Sequence, residues 1–375
     1  MSKLDLADAP ERKIPFNDLS IQWRQIAASV RDDFETTFDQ SAFCLGPFVE
    51  RFETEISQFL GARHAIGVNS GTSALHLAVL AAGLGPGDEV IVPAHSFIAT
   101  LWGVLYAGAT PVFCDVEAET GTLDVRAAER CITPATKAII PVHLYGQPAD
   151  MAAVKALAKR HGLTIIEDAA QAIDARWEGQ HVGTIGAMGC FSFYPGKNLG
   201  AAGEAGLVVT NDDDLAAKMR SLRNHGQSER YIHQAVGYNY RMDGLQGVVL
   251  RRKLPLLGAW TASRRELAMR YSERLAGTPL QLPAVRYGEH VWHLYVVRTP
   301  DRDRLRAALA ERGIETGLHY PVPLHKQPCL ANLPSAGQGF PSAEAWASQC
   351  LSLPLFTGMT FDDVDYVADT VRASY

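Results

Sequence analysis

Between residues 65 and 210, short apolar and β-branched runs alternate with stretches whose apolar residues recur at helical spacing. The runs predict seven strands: Ala65–Asn69, Glu89–Val92, Pro111–Cys114, Ala138–Val142, Leu163–Glu167, Cys190–Phe193 and Leu207–Thr210. Amphipathic segments such as Ala149–His161 lie between several of them. Near-continuous apolar strands separated by helices predict a mostly parallel sheet covered on both faces. After Thr210 the texture changes. Asp212–Arg223 reads as a helix with Asp213 and Asp214 in its first turn, and Gly244–Leu275 as helical segments interrupted at Pro255 and Gly258. A strand at Leu294–Arg298, a helix at Asp301–Arg312, a Pro-rich loop and a last helix at Asp362–Ala373 predict a smaller α/β layer. The expected division is therefore a large unit over residues 1–254, including an N-terminal helical segment, and a small unit over 255–375.

Length supports this division: 375 residues are ample for two cores. With 47% hydrophobic and 20% charged residues the composition is that of an ordinary globular protein. The net charge of −6 is spread thinly, and no basic stripe argues for nucleic acid or a membrane surface. The stretch Met1–Arg12 lacks the apolar centre of a signal peptide, and Ala74–Leu84 is too short to span a bilayer. Six scattered cysteines without a C-x-x-C pair point to reduced, mostly buried thiols in a cytoplasmic protein, and not to zinc.

Two residues carry chemistry that this frame does not need. Lys197 stands in Phe191-Ser192-Phe193-Tyr194-Pro195-Gly196-Lys197-Asn198, where the aromatic neighbours would bury the approach to its amine. A buried lysine loses basicity and becomes a nucleophile for aldehydes. Asp168 follows the apolar strand Leu163–Glu167, at the carboxyl end where open α/β sheets bind ligands. An acid for a ring nitrogen and an amine for an aldehyde together suggest pyridoxal 5′-phosphate. Capping a helix is the alternative for Asp168. Gln171, three residues on, would share its side of a helical turn and reach the ring hydroxyl.

Ser70-Gly71-Thr72-Ser73 opens a helix after a strand and offers either a phosphate cradle or a simple N-cap. Ser192 would reach the same phosphate. Phe97 is a core residue or a ring-stacking one. Arg241, among the tyrosines of Gly237-Tyr238-Asn239-Tyr240-Arg241, is a surface residue or an anion ligand. A P-loop is excluded, since Phe191 and Asn198 occupy its required Gly and Ser/Thr places, and Gly83-Leu84-Gly85-Pro86-Gly87 has the wrong spacing for a dinucleotide fingerprint.

In this order the motifs resemble the DegT/DnrJ/EryC1/StrS sugar aminotransferases, of aspartate aminotransferase-like fold type I. The likeness runs from Ile14-Pro15-Phe16-Asn17-Asp18-Leu19 through Leu45–Glu53, Asn69-Ser70-Gly71-Thr72, Pro86–Val90, Glu167–Gln171, the lysine segment and Gly237–Asp243 to His319-Tyr320-Pro321. It implies Lys197 as the Schiff-base lysine, Asp168 as the ring-nitrogen partner and Gln171 as the ring-hydroxyl contact. It further implies Gly71, Thr72 and Ser192 as phosphate ligands and Phe97 as the stacking aromatic. Asn239 would cross to a partner's cofactor, making an obligate homodimer with shared sites.

Arg241 and His325 match positions associated with a nucleotide sugar. Tyr194, Tyr320 and Arg223 complete the expected substrate contacts, with Arg223 joining Arg241 and His325 in a clamp for a diphosphate. Lysine at 197, rather than the histidine of related dehydratases, implies transamination, with L-glutamate as donor and pyridoxamine phosphate as the intermediate form. Tyr194 within Phe-Tyr-Pro-Gly-Lys-Asn-Leu-Gly resembles the branch that aminates carbon 3 of dTDP-3-oxo-6-deoxyhexoses. Ala205 departs from the glycine frequent in similar sequences. A UDP-linked 3-keto hexuronate, a 4-keto nucleotide sugar, a keto-cyclitol and a non-catalytic regulator are the rival readings.

Overall fold

A computed structural model describes residues 12–333, 335 and 337–375. Residues 1–11, most of the stretch read for a signal peptide, lie outside them. The seven expected strands all form and join one sheet: β1 (His64–Val68), β2 (Glu89–Pro93), β3 (Thr110–Cys114), β4 (Thr136–Ile139), β5 (Thr164–Asp168), β6 (Met188–Ser192) and β7 (Gly206–Thr210). Their order is β1-β7-β6-β5-β4-β2-β3, and β7 alone among them runs antiparallel to its neighbours. Helices such as Gly71–Ala81, Met151–His161 and Asp213–Arg223 cover the two faces, so the strands are almost wholly buried. Phe52, Phe191 and Phe193 are essentially unexposed there, each contributing roughly 2 kcal/mol through burial.

Strand β5 runs one residue beyond the expected Glu167. The Asp168 N–H donates to Pro141 O at 2.9 Å, and its carbonyl accepts from His143 N at 3.0 Å. The acid therefore rides on the sheet's hydrogen-bond ladder and not on a flexible loop. The helix after β1 starts at Gly71, three residues earlier than its apolar run, because Ser70 caps it by accepting from Ser73 N at 3.1 Å.

The helix Gly244–Lys253 passes through a tight turn at Leu254–Leu256 into Leu257–Leu275. Pro255 marks that turn as expected, whereas Gly258 lies inside the second helix without breaking it. A second core forms around Leu267, Tyr271, Tyr295, Leu305, Leu351 and Val364, under the helices Leu257–Leu275, Arg302–Glu311 and Phe361–Ala373. Its strand β8 (Tyr295–Arg298) pairs antiparallel with β9 (Cys350–Leu353), which the sequence pattern had not disclosed. Ile14 belongs to this second core and bridges to Ile314, and Arg12 pairs with Asp363 at 2.6 Å. Arg12 and Ile14 thus pack on the smaller layer. All six cysteines are free thiols, with Cys44 and Cys329 exposed. Among the described residues no helix is long and apolar enough to cross a membrane.

Candidate active site

A cavity of about 790 Å³ opens between the carboxyl ends of β1, β5 and β6 and the smaller layer. Lys197, Asp168, Gln171, Gly71, Thr72, Ser192, Phe97, Tyr194 and Tyr320 all line it. The elements place each one by a local necessity. Ser192 is the last residue of β6 and faces the start of the Gly71 helix. A Cβ at Gly71 would come within 2.7 Å of the Ser192 Cβ, so only glycine lets the helix start approach this strand. Ser70 has spent its hydroxyl on capping, which leaves the first N–H groups of the helix to an anion. The cap reading of this motif falls to Ser70, and the adjacent N–H groups stay open to the other reading.

Asp168 is buried, and its carboxylate is aimed rather than loose. Thr100 Oγ1 donates to Oδ2 at 2.7 Å and Ala170 N donates to Oδ1 at 3.2 Å. No helix begins there, so Asp168 is not a helix cap, and Gln171 reaches the cavity from a turn. Burial pushes the acid's pKa up, while Thr100, Ala170, Lys197 and His143 pull against that.

Lys197 sits on a turn held by its own N–H to Tyr194 O at 2.8 Å and by Ala201 N to Phe193 O at 2.8 Å. Three elements brace that turn from behind. Lys253 Nζ donates to Gly200 O at 2.7 Å, Gln22 Nε2 to Asn198 O at 3.4 Å, and Asn198 Nδ2 to Val291 O at 2.9 Å. Burial lowers the Lys197 amine to about 8, against the opposing pull of Asp168. Lys253 is lowered to about 8 as well, but its amine is engaged by Gly200 and Gln22. The Lys197 amine has no protein partner among the described residues and projects into the cavity.

Three further cavity neighbours escaped sequence reading, and a fourth, His319, was read only as a histidine of the Pro-rich loop. Thr100 aims Asp168, and Asn17 arrives on the N-terminal segment beside the Lys197 turn. His293 and His319 are driven down in basicity by burial, His319 to about 4, with Lys197 adding to the effect, so both imidazoles are neutral. Asn198 must turn its nitrogen to the Val291 carbonyl, so its oxygen faces His293 Nδ1 at 3.2 Å and fixes the proton there. His293 Nε2 is thereby an acceptor. Only His319 carried a signal, its place beside Tyr320.

Four expected contacts lie elsewhere. Arg223 is buried and paired with Glu53 at 2.6 Å, and it also donates to Gly67 O at 2.8 Å; its charge is spent inside the large unit. His325 is 2% exposed, packed on Phe113 and Phe340, with Nε2 3.2 Å from Glu344. Neither belongs to a diphosphate clamp in this cavity. Arg241 donates to Asn224 at 2.9 Å, and Asn239 is exposed on the same segment; neither lines the cavity of its own chain.

The residues present fit pyridoxal phosphate: a cradle that tolerates no side chain at 71, a buried acid fixed by two donors, and an amine free of partners among the described residues.

Two α/β layers enclosing a lysine and an acid at the strand ends are the architecture of sugar aminotransferases. S. venezuelae DesV, solved in complex with a ketimine intermediate, superimposes with a TM-score of 0.93 at 45% identity, covering 96% of this chain and 98% of that one. The model of the DegT/DnrJ/EryC1/StrS aminotransferase family matches residues 24–372, and the chain belongs to that family. Over 96% of its length it is 44% identical to a pleiotropic regulatory protein of Geobacillus stearothermophilus, of which 98% is covered. It is 45% identical to the dTDP-3-amino-3,4,6-trideoxy-alpha-D-glucose transaminase of Streptomyces venezuelae, covering 96% of each chain. It is also 45% identical to the UDP-N-acetyl-3-dehydro-alpha-D-glucosamine 3-aminotransferase of Acidithiobacillus ferrooxidans, covering 96% of this chain and 97% of that one.

Proposed function

We propose that this cavity binds pyridoxal 5′-phosphate and moves an amino group from L-glutamate to the keto carbon of a nucleotide-linked sugar, by way of the pyridoxamine phosphate form. The preferred sugar is a dTDP-3-oxo-6-deoxyhexose. The observation that carries the reading is one buried amine without a protein partner, in the same cavity as one buried, aimed acid.

When bound, the cofactor supplies an aldehyde carbon for amine exchange and a ring that takes up the electron pair left by a departing proton. The first N–H groups of the Gly71 helix, with Thr72 and Ser192, hold the phosphate. Asp168, oriented by Thr100 and Ala170, keeps the ring nitrogen protonated. Lys197, lowered by burial to about 8, would serve as the base that accepts a proton from the donor's α-carbon and holds it for return. Phe97, on the cavity wall, would stack on the ring, and the apolar walls would exclude water that competes for the amino group.

Both sugar-aminating relatives are named for nitrogen at carbon 3, which supports that position; their different nucleotides leave UDP sugars as the second choice. Tyr194, 54% exposed at the cavity mouth, is placed to meet the sugar. Asn239 and Arg241 do not line this cavity in their own chain, and Tyr231 and Val236 nearby are strongly exposed. That pattern supports a homodimer in which these two residues serve the partner's site. A purely regulatory role would leave the amine and the acid without a use.

Borohydride reduction of freshly isolated protein should leave the cofactor fixed on Lys197 in a mapped peptide. Addition of L-glutamate should release 2-oxoglutarate, and a keto dTDP-hexose, rather than a keto-cyclitol, should then restore the original absorbance. No adduct on Lys197, or no 2-oxoglutarate, would defeat the reading.

A further inference from the structure

Gln171 and Tyr320 are joined by hydrogen bonds whose direction is forced. The Tyr145 N–H can only donate, so the Gln171 amide must turn its oxygen toward it, at 2.7 Å. The amide nitrogen therefore faces Tyr320 and donates to its phenol oxygen at 2.8 Å. That oxygen is the acceptor in this bond, so Tyr320 keeps its own hydrogen for another partner. Gln171 likewise keeps its second N–H. Two unspent donors, one hydrogen bond apart and both on the cavity wall, are close enough to share a single acceptor atom. An oxygen that takes two donors at once is best served by being anionic.

The position of the pair says which oxygen this is. The phosphate cradle follows β1 and β6, whereas the Gln171 amide is held by Tyr145 N of the loop after β4, on the other side of β5, the strand that ends in Asp168. On a pyridoxal ring the hydroxyl and the phosphate arm also stand on opposite flanks, with the aldehyde between them. Tyr320 packs against Phe97, with ring centroids 5.5 Å apart, which holds the phenol beside the residue expected to stack on the ring.

Resting on the cofactor reading above, we propose that Tyr320 is a cofactor ligand and not a sugar contact, closing with Gln171 a two-donor clamp on the ring-hydroxyl oxygen. Burial holds the Tyr320 phenol above its ordinary pKa, so it stays a donor throughout the working pH range.

The test is a spectroscopic titration of holoenzyme. The clamp stabilises the anionic oxygen and so favours loss of the neighbouring imine proton; without the phenol that proton is held more tightly. In Tyr320→Phe the pH midpoint of the bound cofactor's visible band should therefore rise by about one unit. The substitution keeps the ring that packs on Phe97. It also leaves Asp168, Tyr194, Lys197, Glu204, His293 and His319, the other titratable groups lining that space, in place. A midpoint equal to the parent's, in a variant that carries the band, overturns the proposal alone. A parent protein with no such band overturns the cofactor reading and the proposal together.

Discussion

The two faces of strand β5 carry neighbouring acids with opposite fates. Glu167 points away from the cavity and is wholly buried. It accepts from His143 Nε2 at 2.9 Å, Gly183 N at 2.7 Å, Ile185 N at 2.7 Å and Gly186 N at 2.6 Å. His143 Nδ1 already accepts from Ala149 N at 3.0 Å, so the proton on its Nε2 is committed to Glu167. Every lone pair of that carboxylate is satisfied from within the fold. Asp168 is as deeply placed but accepts from only two groups, and the rest of its capacity faces the cavity. The two lysines repeat the lesson: both are lowered to about 8, yet one is engaged by the protein and the other is not. Burial alone does not mark a working group here. Unspent bonding capacity does.

Substitution of the two acids gives the largest contrast. Asp168→Asn should lower turnover by about a hundred- to a thousand-fold with little change in melting temperature. Glu167→Gln, which turns an N–H against backbone donors, should cost about 3 kcal/mol in urea unfolding while the folded fraction keeps most of its turnover. Equal kinetic losses in the two variants would erase the distinction.

A smaller effect concerns pH. Covalent capture of the cofactor by apoprotein needs the neutral amine, so its rate should rise about tenfold per unit and level off near pH 8. Asp168 raises the basicity of Lys197, so Asp168→Asn should move the plateau to lower pH; movement to higher pH would contradict the assigned pairing.

The smallest kinetic effect is expected at the displaced clamp residue. Arg223→Met leaves Glu53 without its closest partner and should cost about 3 kcal/mol of stability. The KM for nucleotide sugar should change by less than about twofold. A large rise in that KM would restore Arg223 to the site.

What was legible in the chain follows the same division. The strands showed as apolar runs, and Lys197 and Asp168 showed because neither suits the role its position would otherwise give it. Arg223 misled because its partner Glu53 is 170 residues away and no local pattern announces the pair. His325 misled for a similar reason, since Phe113 and Phe340 enclose it only after folding. Thr100, Asn17 and His293 are ordinary in their own segments and gain their roles only by arriving beside the lysine turn or its acid. Strand β9 was missed because Cys350–Leu353 is short and its partner β8 lies more than fifty residues upstream.

The path of residues 14–19 has a practical consequence. Ile14 is anchored on the smaller layer, and a few residues later Phe16, Asn17 and Leu19 form part of the cavity wall. A fusion partner tugging on this strip, or a protease trimming it, would loosen the reaction chamber itself. Tyr375, at the far end of the last helix and 43% exposed, offers an attachment point that leaves the chamber undisturbed.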